Sequence, residues 1–215
     1  DSNVKKVLMA LSPSSEARVH IIYNFVDTEQ FRPAPKKEKQ DRLCVLFPRR
    51  LTMLRGCNSF IKASTELPEY QFLAVGQATD DSVESEASLW AGKRSNIKFI
   101  SKPLDEMPSV YQMADVGVVP TKAAEGLSLA LLECAASGLP IITTPVGGLG
   151  DAVIDGYNAL VYDPRHEELS DYIRYLAEDE DLRRKMGERN REIAYSFDIE
   201  RWKTKWRTIM RGFSG

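Results

Sequence analysis

Two glutamates carry the chemistry that is easiest to interpret in this sequence. Glu125 ends a loop of small and polar residues, and Glu133 follows it inside a stretch that is otherwise Leu, Ala, Ser and Cys (residues 127–137). A helix of that composition should be buried over most of its surface. A carboxylate inside it is costly unless it is hydrogen-bonded or paired. Glu133 is therefore either a pairing residue of the core or part of a ligand site.

The loop that precedes this stretch is suited to an anion. Thr121, Gly126 and the alanines between them leave room for a ligand to approach the backbone. The first turn of the predicted helix offers unpaired N–H groups and the positive end of the helix dipole, and both favour a phosphate. An anion at the helix start, with carboxylates on either side to bind hydroxyl groups, is the pattern of a nucleotide-sugar site.

Three arginines follow a predicted strand closely: Arg49, Arg50 and Arg55. Isolated charges in such a place are usually surface residues that contribute little. A group of three favours anion binding instead, because the forked guanidinium matches the geometry of a phosphate.

Short apolar runs alternate with helix patterns along the chain, which indicates an α/β fold with a doubly wound parallel sheet. Its commonest strand order, 3-2-1-4-5-6, puts the switch point between strands 1 and 4, where ligands bind at the carboxyl ends. The arginines follow predicted strand 1 and the Glu125 loop follows predicted strand 4, so we expect them to meet there. The six predicted strands are residues 43–47, 71–75, 97–100, 116–119, 141–144 and 159–162.

Other elements are predicted outside this sheet. They are a helix at 2–11, a strand at 19–23, a charged linker at 35–42, a polar helix at 82–91, and a helical region from 166 onward with a break at Phe197-Asp198.

The composition excludes several classes of protein. A net charge of -2 argues against a dedicated nucleic-acid binder, which would normally be strongly basic. No apolar run approaches membrane-spanning length and the N-terminus lacks a signal-peptide pattern, so we expect a cytoplasmic protein. Three dispersed cysteines favour reduced thiols over a metal site. Asp80-Asp81 is interpreted as a polar loop, and we expect no metal and no cofactor.

The glutamate pair and its flanks resemble the retaining group 1 glycosyltransferases, the glycogen-synthase-like enzymes with two Rossmann domains (the GT-B fold). That family has two glutamates separated by seven residues, as in Glu125-GLSLALL-Glu133. Further matches surround the pair and occur near the N-terminus. They are Pro120, Gly138-Leu139-Pro140, Gly147-Gly148 with Asp151, and a hinge-like segment Asn24-Phe25-Val26-Asp27 with Phe31 and Pro33. The resemblance covers nearly the whole chain and implies the Rossmann-like C-terminal domain.

The resemblance also implies roles for individual residues. Arg50 and Arg55 would hold the donor diphosphate and, with Glu125, would be the catalytic residues. Glu133 would bind the nucleotide ribose, and Glu125 would face the donor sugar. Arg49 stands where the family usually has a glycine. The remaining donor-binding residues would be Thr121, Gly126, Leu127, Ser128 and Leu129.

We expect residues 1–215 to form a single nucleotide-sugar-binding domain. In that interpretation 1–18 is the lead-in helix from an N-terminal acceptor-binding domain, and 198–213 is a terminal helix that crosses back toward it. The terminal helix has an apolar side with two tryptophans and a basic remainder. Alternatively, it packs on the core with a solvated basic face, or it contacts an anionic membrane surface.

The predicted function is retaining, metal-independent transfer of a sugar from a nucleoside-diphosphate sugar to an acceptor hydroxyl, with this chain as the donor-binding half. The expected partners are the donor, the N-terminal domain, and an acceptor that is a sugar, a lipid-linked glycan or a small molecule. Two alternatives stay open, a nucleotide-sugar epimerase and a non-catalytic nucleotide-sugar-binding module. The residues do not distinguish the base, the donor sugar or the acceptor.

Overall fold

A computed structural model describes residues 1–12, 19–35, 41–78, 95–123 and 125–212. Within these ranges six parallel strands form a sheet of order β3-β2-β1-β4-β5-β6, which confirms the predicted strands and their order. The strands are β1 Cys44–Phe47, β2 Gln71–Val75, β3 Ile97–Ile100, β4 Val116–Val119, β5 Ile141–Thr143 and β6 Ala159–Val161.

Helices cover both faces of the sheet, as a parallel sheet requires. In chain order they are α1 Ser2–Leu11, α2 Cys57–Glu66, α3 Met107–Met113, α4 Leu129–Ala136, α5 Leu169–Glu178, α6 Glu180–Ala194 and α7 Ile199–Gly212. Side chains of β1 alternate between the two faces. Val45 and Phe47 pack in a core with α2 and α5, whereas Leu46 packs in a core with α3 and α4.

The prediction of a strand at 19–23 is wrong, because those residues pair with no other strand. The apolar run instead leads into a single bridge farther along, between Val26 and Asp198. Val26 donates its N–H to the Phe197 carbonyl and accepts a hydrogen bond from the N–H of Ile199. The segment is thus held by the start of α7 rather than by a sheet edge. The polar helix predicted at 82–91, Asp80-Asp81 and most of the predicted linker lie outside the described residues.

The pairing of β1 with β4 determines where the arginine and glutamate loops lie. Val45 is in register with Val116, so the two strands end side by side at the centre of the sheet. The loop after β1 comes very close to the end of β4 at Gly56, whose φ of 84° is left-handed. A Cβ at Gly56 would lie 2.0 Å from the Pro120 carbonyl oxygen. Glycine is therefore required for this approach.

Arg191 of α6 connects the hinge-like segment to the end of α4. Its Nη1 donates to the Phe31 carbonyl at 2.8 Å and to the Ala136 carbonyl at 2.7 Å. The same helix also touches the turn after α4. A Cβ added at Gly187 of α6 would lie 2.1 Å from the carbonyl oxygen of Gly138 in that turn. The position of α4 is thus set from its C-terminal end by α6.

We expect Gly187→Ala to destabilise the protein, because the added methyl group meets backbone rather than a flexible side chain. The loss should be about 1–3 kcal/mol, the usual size of an overpacking effect, despite the better helix propensity of alanine. Gly212→Ala is the matched control, since no atom of the described residues lies within 4 Å of a Cβ added at that helical glycine. Urea unfolding of both variants provides the measurement. Equal stability of the two would contradict the close contact between α6 and the turn after α4.

Candidate functional site

Four side chains form a hydrogen-bonded ion-pair network at the carboxyl ends of β1 and β4; we call it the Glu125 cluster (Arg49, Arg55, Thr121 and Glu125). Arg49 Nη2 donates to both carboxylate oxygens of Glu125, at 2.7 Å and 2.8 Å. Arg49 Nη1 donates to Thr121 Oγ1 at 2.5 Å, and that hydroxyl donates to Glu125 Oε2 at 2.7 Å. Arg55 Nη1 lies 2.6 Å from Glu125 Oε1.

Burial and charge act in opposite directions on the carboxyl group of Glu125. Its side chain is 12% exposed, and the Arg49 side chain is 7% exposed. Burial raises the pKa of Glu125, but the hydrogen bonds and charges of Arg49, Thr121 and Arg55 outweigh it and leave the pKa below its ordinary value. Glu125 is therefore ionised at neutral pH. With two guanidinium groups and one carboxylate, the Glu125 cluster has a net charge of +1, which suits an anionic ligand.

The main chain of Glu125 is held by the glycine pair that follows β5. Gly148 donates its N–H to the Glu125 carbonyl at 2.8 Å. Gly147 has a φ of 59°, and a Cβ there would lie 1.9 Å from the same oxygen. In the structure the pair packs against Glu125 and so helps to fix the loop.

The start of α4 lies directly after this loop. Ser128 occupies the N-cap position with extended backbone and makes no side-chain capping hydrogen bond. Leu127 and Ser128 are buried, whereas Gly126 and Leu129 are exposed. Asn24 of the hinge-like segment donates through Nδ2 to the Leu127 carbonyl at 2.5 Å. The hinge-like segment thus helps to position the helix start.

Glu133 has a neutral partner in place of a cation. Tyr111 of α3 donates its hydroxyl to Glu133 Oε2 at 2.5 Å. Tyr111 is fully buried, and its ring packs edge-on against Phe31 at 5.5 Å between centroids. Burial raises the pKa of Glu133, and the hydrogen bond from Tyr111 opposes that effect only in part. The carboxyl groups of the two glutamates therefore have pKa values shifted in opposite directions.

The structure separates the predicted site residues into two groups. Arg55, Thr121 and Glu125 come together in the Glu125 cluster. Arg50 is exposed and has no ion pair among the described residues. Its predicted role in diphosphate binding stays a prediction. The second group consists of the residues at the start of α4 and of Glu133 within that helix.

Sequence reasoning did not single out three residues that the structure adds. Arg49 was grouped with the other arginines, and no local signal distinguished it from Arg50, which is adjacent and identical in type. Asn24 was noted only as part of the hinge-like segment. The contact of Tyr111 with Glu133 had no local signal, because it depends on how α3 packs beside α4.

A cavity of about 450 Å³ lies between α1 and the Glu125 loop. Its lining includes Glu125, Gly126 and Gly147 on one side and Val4 and Leu8 of α1 on the other. The helix is attached near there by hydrogen bonds from Ser2 to Asp151 and from Asn3 to the Gly147 carbonyl. Among the described residues no group of three or more His, Cys, Asp or Glu could hold a metal ion. No helix in the same ranges is long and apolar enough to cross a membrane.

The opposite environments of the glutamates predict opposite effects on stability. Glu125→Gln should lower the melting temperature at pH 7, because it leaves Arg49 buried without a full counter-charge, at a cost of about 1–3 kcal/mol. Since the folded-state pKa of Glu125 is depressed, its stabilisation is complete above the unfolded value and disappears as the pH falls through the folded value. The difference from the unsubstituted protein should therefore shrink as the pH falls below 4.5, the ordinary value.

Glu133→Gln is the matched control at pH 7. Burial disfavours the ionised form of Glu133, so removing its charge should leave the melting temperature unchanged or raise it. Thermal melts of both variants between pH 7 and pH 3, a range that brackets the ordinary pKa of a glutamate, provide the measurement. Equal losses at pH 7 would show that the two carboxylates do not differ in this way.

The sequence matches the family described as "Glycosyl transferases group 1" over residues 27–193. A D-inositol 3-phosphate glycosyltransferase from Corynebacterium urealyticum is 28% identical over 81% of this chain and 46% of its own length. An uncharacterized glycosyltransferase from Methanocaldococcus jannaschii is 37% identical over 46% of this chain and 28% of its own length. The chain thus spans less than half the length of these curated relatives.

Solved structures share the fold. HepE from Anabaena, crystallised with UDP and glucose, superimposes with a TM-score of 0.80 at 20% identity, over 89% of this chain and 56% of its own. The C-terminal domain of a group 1 glycosyltransferase from Francisella tularensis gives 0.69 at 24% identity, over 81% of this chain and 99% of that domain. Since the family match covers well over half of the sequence and the fold is that of the C-terminal domain of GT-B enzymes, the chain belongs to the group 1 glycosyltransferases.

Proposed function

We propose that this chain is the donor-binding half of a retaining glycosyltransferase that moves a sugar from a nucleoside diphosphate to an acceptor hydroxyl. The observation that carries the proposal is the Glu125 cluster, which puts a net charge of +1 at the switch point of the sheet, beside the start of α4. Ligands of doubly wound folds bind at that point. The family match favours transfer over the epimerase alternative.

The order of groups along α4 fits the parts of such a donor. Uncapped amides at the helix start and the guanidinium of Arg55 would bind the diphosphate. Glu133 lies five residues beyond Ser128, about 7.5 Å along the helix axis, and would accept hydrogen bonds from the ribose hydroxyls. Glu125 would accept hydrogen bonds from the donor sugar. The solved relatives support the donor class, because HepE was crystallised with UDP and with UDP-glucose.

The chemical step needs stabilisation of charge on the departing diphosphate. Arg55 and the helix-start amides would be the donors for that charge, and fixed donors of this kind are a major source of catalytic rate. Arg50 would contribute from the exposed side of the same loop. No metal or cofactor is required in this scheme. A product with inverted anomeric configuration from the complete enzyme would contradict the retaining mechanism.

The two terminal helices would face the rest of the enzyme. Val4, Val7 and Leu11 of α1 are exposed apolar side chains, and α7 has no buried residue among those described. Trp202 packs on Phe25 at 4.7 Å between ring centroids. These exposed apolar surfaces support our proposal that residues 1–18 lead in from an acceptor-binding domain and that 198–213 cross back to it.

A lipid-linked acceptor and peripheral membrane contact extend this proposal. Helix α7 carries five cationic side chains and one acidic side chain, which suits an anionic lipid surface. We expect the chain to sediment with vesicles that contain anionic lipid and to remain in solution with neutral vesicles. Replacement of Arg207 and Arg211 by Gln should reduce that sedimentation. Equal sedimentation with both kinds of vesicle would contradict the contact.

The central test is nucleotide binding. We expect the chain to bind a nucleoside diphosphate in calorimetric titrations with UDP, GDP and ADP. Arg55→Ala should weaken binding of the diphosphate by about ten- to a hundredfold, corresponding to about 1.5–3 kcal/mol for a charged hydrogen bond. Binding of the parent nucleoside should weaken far less. Arg174→Ala, an exposed arginine paired with Asp171, is the control and should change neither.

Two results would contradict the proposal in different ways. If the titrations detect no heat of binding with any of the three diphosphates at millimolar concentration, the proposed donor-binding role is contradicted. Equal losses for diphosphate and nucleoside in Arg55→Ala would show that Arg55 is structural rather than a phosphate ligand.

A further inference from the structure

The two arginines that contact Glu125 differ in exposure and in the number of bonds they make. Arg49 is 7% exposed and makes two hydrogen bonds to the carboxylate and one to Thr121. Arg55 is 30% exposed and reaches Oε1 alone, at 2.6 Å. Arg49 Nε is buried and has no hydrogen-bond partner among the described residues. Arg49 is therefore fixed inside the protein, whereas Arg55 stands at its edge.

This difference decides which arginine can leave the carboxylate. When Arg55 moves away, Glu125 keeps both hydrogen bonds from Arg49 and the one from Thr121. Its charge remains compensated, so the move gives up one contact of a partly exposed arginine and leaves no unpaired buried charge. If Arg49 were absent, Arg55 would be the only cation among the described residues that pairs with this largely buried carboxylate. Separating them would then leave an uncompensated buried charge, which is strongly unfavourable.

We propose that Arg49 is a positioning residue that keeps Glu125 neutralised so that Arg55 is available to the donor diphosphate. Arg55 exchanges Glu125 Oε1 for a phosphate oxygen when the donor binds, while Arg49 and Thr121 hold the carboxylate in place for the sugar. No covalent bond changes in this exchange. The inference rests on the proposed donor-binding function and adds to it a role for a residue that does not itself touch the phosphate.

Two other roles for Arg49 give different expectations. As a direct phosphate ligand it would need an exposed guanidinium, but its Nη1 and Nη2 donate to Thr121 and Glu125 and its side chain is almost completely buried. As a purely structural residue it would affect the stability of the fold, and the UDP dissociation constant of the folded Arg49→Met variant would be unchanged. A double-mutant cycle separates these roles, because residues of one ion-pair network are coupled.

The experiment measures the dissociation constant of UDP for Arg49→Met, Glu125→Gln and the double variant, by calorimetry on the 215-residue chain. GDP and ADP replace UDP if the unsubstituted chain prefers one of them. Arg49→Met should weaken binding about tenfold, a usual size for coupling within one network, because Glu125 then retains Arg55. Glu125→Gln should bind as tightly as the unsubstituted chain or more tightly. The double variant should return to the level of Glu125→Gln.

Arg55→Met, alone and combined with Glu125→Gln, is the comparison for a direct ligand. Both should bind weakly, since removing the carboxylate cannot replace a missing phosphate donor. Arg49→Lys guards against a folding defect in Arg49→Met. It keeps the charge and should bind within about threefold of the unsubstituted chain, well inside the range expected for one weakened hydrogen bond.

The inference is overturned if the double variant binds as weakly as Arg49→Met, if Arg49→Met binds normally, or if Arg49→Lys is as impaired as Arg49→Met. Absence of binding by the unsubstituted chain with all three diphosphates is a separate result, because it would remove the proposed function on which the cycle depends.

Discussion

A buried ion pair between Arg49 and Glu125 is the interaction on which the candidate site depends. Each charge would be costly to bury alone, so each fixes the other. Because Arg49 follows β1 and Glu125 follows β4, the pair also joins the two loops at the switch point of the sheet. Thr121 completes the network with one hydroxyl that both accepts and donates. The loop before α4 is therefore held by charge and hydrogen bonding, although its composition alone indicates flexibility.

Close backbone contacts make this pair possible. The loop after β1 reaches the end of β4 only because Gly56 has no side chain, and the Glu125 carbonyl approaches Gly147 only for the same reason. At both glycines φ is positive, so a side chain would be strained as well as crowded. Arg191 and Asn24 then fix α4 from its two ends. The position of the site thus follows from contacts that involve mostly backbone atoms.

The two glutamates, one in the loop before α4 and one within the helix, show how the same group can have its pKa shifted in opposite directions. Glu125, next to two guanidinium groups, has a depressed pKa and acts only as a hydrogen-bond acceptor at neutral pH. Glu133, next to a tyrosine hydroxyl and largely desolvated, has a raised pKa. An acceptor in a desolvated environment binds hydroxyl groups strongly once they arrive. This contrast is consistent with the different donor parts that we assign to them.

The sequence by itself determined the sheet and the meeting of the two loops, because buried parallel strands have recognisable apolar runs and their carboxyl ends share one edge. The location of Arg55 and Glu125 followed from that topology. Tertiary structure decided which neighbouring arginine faces inward, since Arg49 and Arg50 are adjacent and identical in type. It also decided that residues 19–23 join no strand and that Tyr111 reaches Glu133. These contacts link residues that are far apart in the chain. They arise from the packing of one element on another, which local sequence patterns do not report.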